Sequence, residues 1–148
     1  MKKRVVVLSG AGISAESGLD TFRDSNGLWA NYRIEDVCTP DALRRNPELV
    51  LNFYNMRREQ LSKVEPNAAH FALVELEKYF TVDIVTQNVD NLHERAGSSN
   101  VLHLHGELLK SRSIKNPSLI VDTPGDVHIG DFAPDGSQLR PHIVFFGE

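Results

Sequence analysis

The chain has 148 residues, of which 41% are hydrophobic and 24% charged, and its formal net charge at pH 7 is -4. These values are typical of one folded domain with a sizeable core, and the negative balance disfavours nucleic acid and anionic membranes as partners. Cys38 is the only cysteine, which excludes an internal disulfide and fits a reducing compartment. The basic residues 1–4 precede too short an apolar run for a signal peptide or a membrane span. We therefore expect a cytoplasmic protein with no nucleic-acid partner and no membrane partner.

The pattern of apolar residues predicts an α/β fold. Short apolar runs predict strands over residues 4–8, 82–86, 101–104, 118–121 and 142–146. One helix is expected to begin at Asn46-Pro47 and to continue to residue 61, and another to begin at Pro66-Asn67. Strands that alternate with helices in this way predict a parallel sheet with covering helices.

The later part of the chain departs from this pattern. Residues 110–141 contain many Ser, Asn, Pro, Gly and Asp residues and show little hydrophobic periodicity. We expect a loop-rich segment there, with one short strand at 118–121. The chain then stops after the apolar run 142–146, where an α/β fold would go on to its next helix. A short C-terminal strand that simply finishes the sheet fits these residues, but we expect an incomplete domain with an unpaired strand edge, which favours aggregation or pairing with another chain.

The first predicted strand runs directly into a glycine-rich turn. Valines at positions 5–7 are followed by the sequence GAGIS at residues 10–14. Glycine lets backbone N–H groups approach a phosphate closely, and the positive end of a following helix favours negative charge there. The pattern predicts nucleotide binding, although a plain strand–turn–helix without a ligand fits the same residues.

Polar or aromatic segments follow the predicted strands. The segments are TFR at residues 21–23, GLW at 27–29, TQNVDNLH at 86–93 and HLHG at 103–106. We expect them to converge on one site, because the carboxyl ends of parallel strands meet at one edge of a sheet, where α/β proteins bind ligands. Taken singly, Gln87, Asn88 and Asp90 could instead cap the next helix. His103 and His105 could be buried core residues.

Together, these motifs and their order resemble the sirtuins, the NAD-dependent protein-lysine deacylases. The match also includes AESG at residues 15–18 and RPHIV at residues 140–144, and it covers nearly the whole chain. The resemblance implies a single catalytic domain over residues 1–148 with a Rossmann-like, deoxyhypusine synthase-like NAD-binding fold. It also implies that the complete fold continues past residue 148 with further strands and adenine-binding loops.

The resemblance implies a role for each motif, with NAD as co-substrate and acylated-lysine proteins or peptides as partners. The residues that would bind NAD are Gly10, Ala11, Gly12, Ile13, Ser14, Phe22, Arg23, Trp29, Gln87, Asn88, Val89 and Asp90. The turn would hold the pyrophosphate, and Phe22 would belong to a lid that excludes water. His105 would be the general base, and Asn88 would also have a catalytic role.

The activity that the resemblance implies is the removal of succinyl, malonyl or acetyl groups from protein lysines. The acyl oxygen would attack C1′ of the nicotinamide ribose, and neutral His105 would then take a proton at the ribose hydroxyls. The products would be nicotinamide, free lysine and O-acyl-ADP-ribose. Two alternatives fit the same residues: an NAD glycohydrolase or ADP-ribosyltransferase, and a non-catalytic remnant that binds NAD or a partner.

A further segment bears on the acyl group. The sequence FYNMRR at residues 53–58 resembles the part of sirtuins that marks a preference for acidic acyl groups. Tyr54 and Arg57 are three residues apart on a predicted helix and therefore share one face. Together they could bind the distal carboxylate of succinyl-lysine or malonyl-lysine. The alternative is a helix with an exposed cation and a buried aromatic ring.

The segment after the catalytic His-Gly departs from the family pattern. Most sirtuins carry two Cys-x-x-Cys pairs there for a structural zinc, but residues 106–140 contain no cysteine. We expect no zinc, because a structural zinc site needs a closed shell of four ligands. The small module at residues 107–140 would then be degenerate. We expect it to be held by apolar packing of Leu119, Ile120, Val121 and Phe132.

Overall fold

The computed structural model describes residues 1–21 and 28–148. Its strands are β1 (Lys3–Ser9), β2 (Phe80–Thr86), β3 (Val101–His103), β4 (Gly106–Ser113), β5 (Ile120–Asp122) and β6 (Leu139–Ile143). Its α-helices are α1 (Gly12–Ala15), α2 (Ile34–Val37), α3 (Pro40–Arg45), α4 (Pro47–Ser62), α5 (Ala68–Leu76) and α6 (Leu92–Ala96). A 3-10 helix, Leu28–Asn31, precedes α2. Among the described residues, no helix has the length and apolar character to cross a membrane.

Strands β1, β2 and β3 form a parallel sheet with β2 at its centre. The register pairs Lys3 with Phe80 and Ser9 with Thr86, so β1 and β2 end at the same level. Thr86 also pairs with His103 at the end of β3. The predicted α/β fold with a parallel sheet is confirmed, and the segments that follow the three strands leave the sheet at one edge.

Asparagine caps begin the two longest helices of the described chain. Oδ1 of Asn46 accepts a hydrogen bond from Leu49 N (3.3 Å) at the start of α4. Oδ1 of Asn67 accepts from Ala69 N (3.0 Å), and Asn67 N donates to His70 Nδ1 (3.1 Å) at the start of α5. These caps satisfy N–H groups that have no partner within the helix. Both predicted helix starts are confirmed.

The hydrophobic core packs around α4. The helix buries Phe53, Tyr54 and Leu61, and the Phe53 ring meets the Trp29 ring edge to face with centroids 4.9 Å apart. Removing one large side chain of this kind from water contributes about 2–3 kcal/mol. The buried face of α4 therefore fixes the helix against the residues that follow the glycine turn.

One face of the parallel sheet is exposed. Val6, Leu8 and Leu102 share this face and are each more than half exposed. In the part of the chain that the structure describes, no strand pairs with the outer edge of β1 or of β3. Unpaired edges and an exposed apolar face both favour association between chains.

Residues 106–143 contain a second sheet, which is antiparallel with the strand order β5-β4-β6. The expectation of a loop-rich segment over 110–141 is wrong for β4, which continues to Ser113. The strand predicted at 142–146 is wrong in its bounds, because β6 begins at Leu139 and ends at Ile143. The short strand predicted at 118–121 corresponds to β5. The reason for the missed strand is that buried serines break the alternation of apolar and polar residues that marks a strand. The buried side chains of β4 are Leu108, Ser111 and Ser113.

Polar contacts with α4 hold this second sheet. The Asn55 side chain donates from Nδ2 to Val127 O (2.9 Å) and accepts at Oδ1 from Val127 N (2.9 Å). Arg58 donates from Nε to Leu108 O (2.9 Å) and from Nη1 to Asn55 Oδ1 (2.7 Å). Both side chains are buried, so these bonds are shielded from water.

The apolar packing expected for the small module is present only in part. Leu119 and Val121 are half-buried. The prediction is wrong for Ile120 and Phe132, which are 44% and 63% exposed. The physical reason is that the sheet meets the rest of the protein through β4, through Ile143 of β6 and through the loop at Val127, so Ile120 and Phe132 lie away from that contact.

Candidate functional site

The edge of the parallel sheet where its strands end borders a cavity of about 460 Å³. The predicted site residues that line this cavity are Ala11, Ser14, Trp29, Tyr54, Arg57, Gln87, Asn88, Val89, Asp90 and His105. Gly10, Gly12 and Ile13 lie in the adjoining turn and are not part of the lining. Phe22 and Arg23 lie outside the described residues. The fold thus brings together segments that are up to 94 residues apart in the sequence, counted from Ala11 to His105 (105 − 11 = 94).

The turn after β1 leaves space for a ligand at Gly12. Its backbone is closed by hydrogen bonds from Ile13 N to Gly10 O (3.2 Å) and from Ser14 N to Ala11 O (3.1 Å). A Cβ atom built on Gly12 would meet no other atom within 4 Å. The backbone at Gly12 is therefore open on the side where a side chain would lie.

Buried hydrogen bonds hold the segment after β2 against this turn. Asn88 donates from Nδ2 to Gly10 O (3.0 Å). Asp90 accepts at Oδ2 from the Ser14 hydroxyl (2.8 Å) and at Oδ1 from Leu92 N (3.0 Å), so it also caps the start of α6. Both side chains are more than nine-tenths buried. Their orientation is therefore set by the protein itself, which is how a site is preorganised for a ligand.

His105 lies where the two sheets meet. It is exposed and lines the cavity, and its carbonyl oxygen accepts a hydrogen bond from Val144 N (2.9 Å). The next residue, Gly106, has a φ of +88°, which glycine adopts without steric cost. A Cβ atom at Gly106 would overlap the carbonyl oxygen of His142. Only glycine therefore fits the backbone conformation at position 106, next to His105.

Two further histidines support the ends of β1 and β2: His93, which ends the predicted site segment 86–93 but has no predicted role of its own, and His70, which no motif includes. His93 Nε2 lies 2.9 Å from Ser9 Oγ, and that hydroxyl donates to Thr86 Oγ1 (2.9 Å). The rings of His70 and His93 pack edge to face with centroids 5.1 Å apart. Burial lowers the pKa of both imidazoles, so both rings are neutral at pH 7. In the sequence, these two histidines are marked only by their nearness to a helix cap and to the end of a strand.

A phenol, a thiol and a guanidinium group lie together on one side of the cavity. Tyr54 Oη is 3.1 Å from Cys38 Sγ, and burial raises the pKa of both groups, so both are neutral at pH 7. The guanidinium carbon of Arg57 lies 5.2 Å from the centroid of the Trp29 ring and 5.4 Å from that of the Tyr54 ring. Within the described residues, no carboxylate forms an ion pair with Arg57. The half-buried cation is therefore available to a carboxylate on a ligand.

Cys38 and Phe145 are cavity residues that sequence reasoning missed. The Phe145 ring stacks on that of Tyr54 with centroids 5.7 Å apart, and the guanidinium carbon of Arg140 lies 4.3 Å from its centroid. Phe145 belongs to the apolar run at 142–146, which predicts a strand rather than part of a site. No spacing rule marks Cys38.

Comparison with known proteins decides the family. Residues 10–148 match the model that describes the Sir2 family. The chain belongs to this family. The sirtuin resemblance in the sequence is therefore confirmed, and with it the Rossmann-like fold class.

Relatives of this Sir2 chain are longer than the chain itself. An NAD-dependent protein deacylase of Aggregatibacter actinomycetemcomitans is 62% identical over 148 residues, which are 100% of this chain and 71% of that protein. One of Helicobacter pylori is 60% identical over 146 residues, 99% of this chain and 64% of that protein. A solved complex of a Sir2 homologue with NAD matches with a TM-score of 0.86 at 43% identity, over 99% of this chain and 59% of that one. The Sir2 chain thus spans less than three quarters of each of these proteins.

The roles of single residues in this Sir2 chain stay predictions, and so does the expected lack of zinc. The sequence offers no cysteine near the second sheet, because Cys38 is buried against Tyr54 beside the cavity. The hydrogen bonds of Asn55 and Arg58 attach that sheet and its neighbouring loop to α4.

Proposed function

We propose that this chain carries the catalytic site of an NAD-dependent protein-lysine deacylase, with NAD as co-substrate and acylated-lysine proteins or peptides as partners. The observation that carries the proposal is that the fixed side chains of Asn88 and Asp90 and an accessible His105 line one cavity, which adjoins the turn with open backbone at Gly12. The relatives named NAD-dependent protein deacylase and the Sir2 homologue solved with NAD support it.

The turn suits the pyrophosphate of NAD, and the cavity suits its ribose and nicotinamide. The backbone of residues 10–12 would hold the pyrophosphate, with Ile13 and Ser14 closing the turn. Gln87 and Asn88 would bind the ribose hydroxyls, while Val89 and Asp90 would hold the nicotinamide carboxamide. The chemistry that NAD supplies is a reactive bond between C1′ and nicotinamide, which breaks as the acyl oxygen attacks C1′. The chain itself orients the ribose and limits access of water.

His105 is the general base of the proposed mechanism. A neutral imidazole would take a proton from a ribose hydroxyl, and that oxygen would attack the carbon of the former acyl group; addition of water and cleavage of the C–N bond to the lysine nitrogen would then give free lysine and O-acyl-ADP-ribose. Since the His105 backbone is tied to Val144 and followed by the constrained Gly106, the ring enters the cavity from a rigid position. Rigid placement of a base is what makes such proton transfer effective.

Tyr54 and Arg57 direct the preference toward acidic acyl groups. Arg57 is a cation without a carboxylate partner among the described residues, and it lines the same cavity as His105. The Tyr54 hydroxyl stays protonated because burial raises its pKa, so it can donate a hydrogen bond. A guanidinium and a phenol together match the distal carboxylate of a succinyl or malonyl group.

The proposed function is tested by incubating the 148-residue chain with NAD and matched acetyl-, succinyl- and malonyl-lysine peptides. We expect O-acyl-ADP-ribose and free lysine, detected by mass spectrometry. His105→Tyr should reduce the rate by about 10²–10⁴-fold, the usual contribution of a general base. Nicotinamide release that does not require a peptide would contradict the deacylase and favour an NAD glycohydrolase. Absence of any product from the folded chain would contradict catalysis by this chain.

Arg57→Met tests the acyl preference. We expect KM for the succinyl-lysine peptide to rise about 10–100-fold, since a hydrogen bond to a charged group contributes about 1.5–3 kcal/mol. KM for the acetyl-lysine peptide should change little, because acetyl carries no distal carboxylate. Arg44→Met, at an exposed arginine of α3, is the matched control and should leave both constants unchanged. Equal effects of Arg57→Met on the two peptides would rule out the carboxylate contact.

A further inference from the structure

His103, at the end of β3, is a nearly buried imidazole that the proposed mechanism does not use. Its side chain is 7% exposed, and both of its ring nitrogens have close partners. Nδ1 lies 2.8 Å from the backbone carbonyl oxygen of Asn88, and Nε2 lies 2.7 Å from Glu94 Oε2. The ring therefore bridges the segment after β2, which lines the cavity, and the helix α6.

Both partners of the ring are hydrogen-bond acceptors. A carbonyl oxygen and a carboxylate oxygen cannot donate, so both ring nitrogens must carry a proton for both bonds to exist. A neutral imidazole has one N–H and can make only one of the two bonds. The other nitrogen would then direct its lone pair at the lone pairs of an oxygen. The observed geometry therefore describes a charged imidazolium.

Asn88 is held by four hydrogen bonds, of which only one can titrate. Asn88 N donates to Thr86 Oγ1 (3.0 Å), and Asn88 Nδ2 donates to Gly10 O (3.0 Å) and to Ser14 Oγ (3.4 Å). None of these three bonds changes near neutral pH, because a hydroxyl, an amide and a carbonyl do not ionise there. The fourth is the bond from His103 to the Asn88 carbonyl.

We propose that His103 is a positioning residue for NAD: its doubly protonated ring holds the Asn88 carbonyl, and loss of the Nδ1 proton frees that carbonyl and loosens the segment that would bind the ribose. The proton at Nε2 is the one that stays, because its bond to the Glu94 carboxylate is charge-assisted. The inference rests on the proposed function only in naming NAD as the ligand. The positioning itself concerns the free protein, since all of the contacts are made within the chain.

The charged groups around the ring set the direction of its titration. Glu94 and Glu107 face it, the latter with Oε1 at 3.9 Å from Nε2, and Lys110 pairs with Glu107 at 2.8 Å. His93, which is neutral, lies on α6 nearby. Burial alone would lower the pKa of His103, but the hydrogen bonds to Glu94 and to the Asn88 carbonyl outweigh it and raise that pKa above 6.5. A raised pKa means that the bonds are complete at lower pH and are lost as pH rises through the value in the folded protein.

The test combines an NMR titration with NAD binding, both on the 148-residue chain. Ring nitrogens of His103 and backbone amides of residues 87–90 are followed from pH 5.5 to 9, and the Kd for NAD is measured by calorimetry over the same range. We expect ring and amides to share one midpoint above 6.5, the ordinary imidazole value. The Kd should rise about tenfold across it, as for loss of a hydrogen bond to a charged group.

Variants separate positioning from a general structural role. Glu94→Gln should move the shared midpoint to lower pH, because it removes the carboxylate that stabilises the imidazolium. His103→Leu should abolish the pH dependence and keep the Kd at the high-pH value of the parent chain. His103→Gln, which can still donate to the Asn88 carbonyl, should recover part of the affinity. His128→Gln, at an exposed histidine in the loop before β6, is the control and should leave the profile unchanged.

The outcomes separate the inference from the proposed function. Amides of residues 87–90 that do not follow the ring, or a midpoint that Glu94→Gln leaves in place, would overturn the positioning role. A chain that binds no NAD at any pH contradicts the proposed function, whereas the NMR titration still decides whether His103 holds the Asn88 segment. If the His103→Leu variant fails to fold, the NMR titration of the parent chain and the midpoint of Glu94→Gln still decide whether His103 has the positioning role.

Discussion

Replacing Gly106 by alanine is expected to lower the free energy of unfolding by about 3–6 kcal/mol, which is a large part of the stability of a small domain. Two effects add. Gly106 has a φ of +88°, where a side chain is strained. In addition, the new Cβ would overlap the His142 carbonyl oxygen and lie 2.9 Å from the carbon of that carbonyl. The neighbour is backbone, so it cannot move aside as a flexible side chain would.

The measurement is urea unfolding followed by circular dichroism and by the fluorescence of Trp29, the only tryptophan. Gly125→Ala is the matched control, because Gly125 lies outside the positive-φ region and a Cβ there meets nothing within 4 Å. It should change the free energy of unfolding by less than about 0.5 kcal/mol. If both substitutions had the same small effect, the backbone at the junction of the two sheets would be more adaptable than its geometry indicates.

Asn55→Ala is expected to destabilise the chain by about 3–5 kcal/mol, with the loss concentrated in the second sheet. The substitution removes both hydrogen bonds to Val127 and the acceptor of Arg58 Nη1. Burial lowers the pKa of Arg58 to about 10, so its guanidinium remains charged at pH 7 and would lose a buried partner. Leaving buried donors and a buried charge unpaired costs more than the bonds themselves contribute.

Asn52→Ala provides the control, since Asn52 lies on the same helix and is exposed. It should alter the free energy of unfolding by less than about 0.5 kcal/mol. Hydrogen exchange adds a local readout: in Asn55→Ala the amides of β4 and of Val127 should exchange faster, while those of β1 and β2 change less. Uniform acceleration across both sheets would argue against Asn55 as the anchor of the second sheet.

The candidate site was predictable to the extent that its residues follow strand ends. Ala11, Asn88 and His105 come after β1, β2 and β3, and parallel strands present their carboxyl ends at one edge. Cys38 and Phe145 were not predictable in this way, because they reach the cavity from a helix end and from a loop. The positions of Cys38 and Phe145 at the cavity depend on how α2 and β6 pack, and no local sequence pattern predicts that packing.

Local signals in the sequence are sufficient to predict the parallel sheet, the starts of α4 and α5, and the family. Apolar runs, asparagine caps and glycine turns are local signals, because each acts through neighbours within a few residues. Only the tertiary structure decided the partners of the buried polar groups. Asn55 and Arg58 reach Val127 and Leu108, which are at least 50 positions away. His103 reaches Glu94, and Ser113 of β4 donates to Asp135. Burying a polar side chain is costly unless a partner satisfies it, and such distant partners become visible only when the chain is folded.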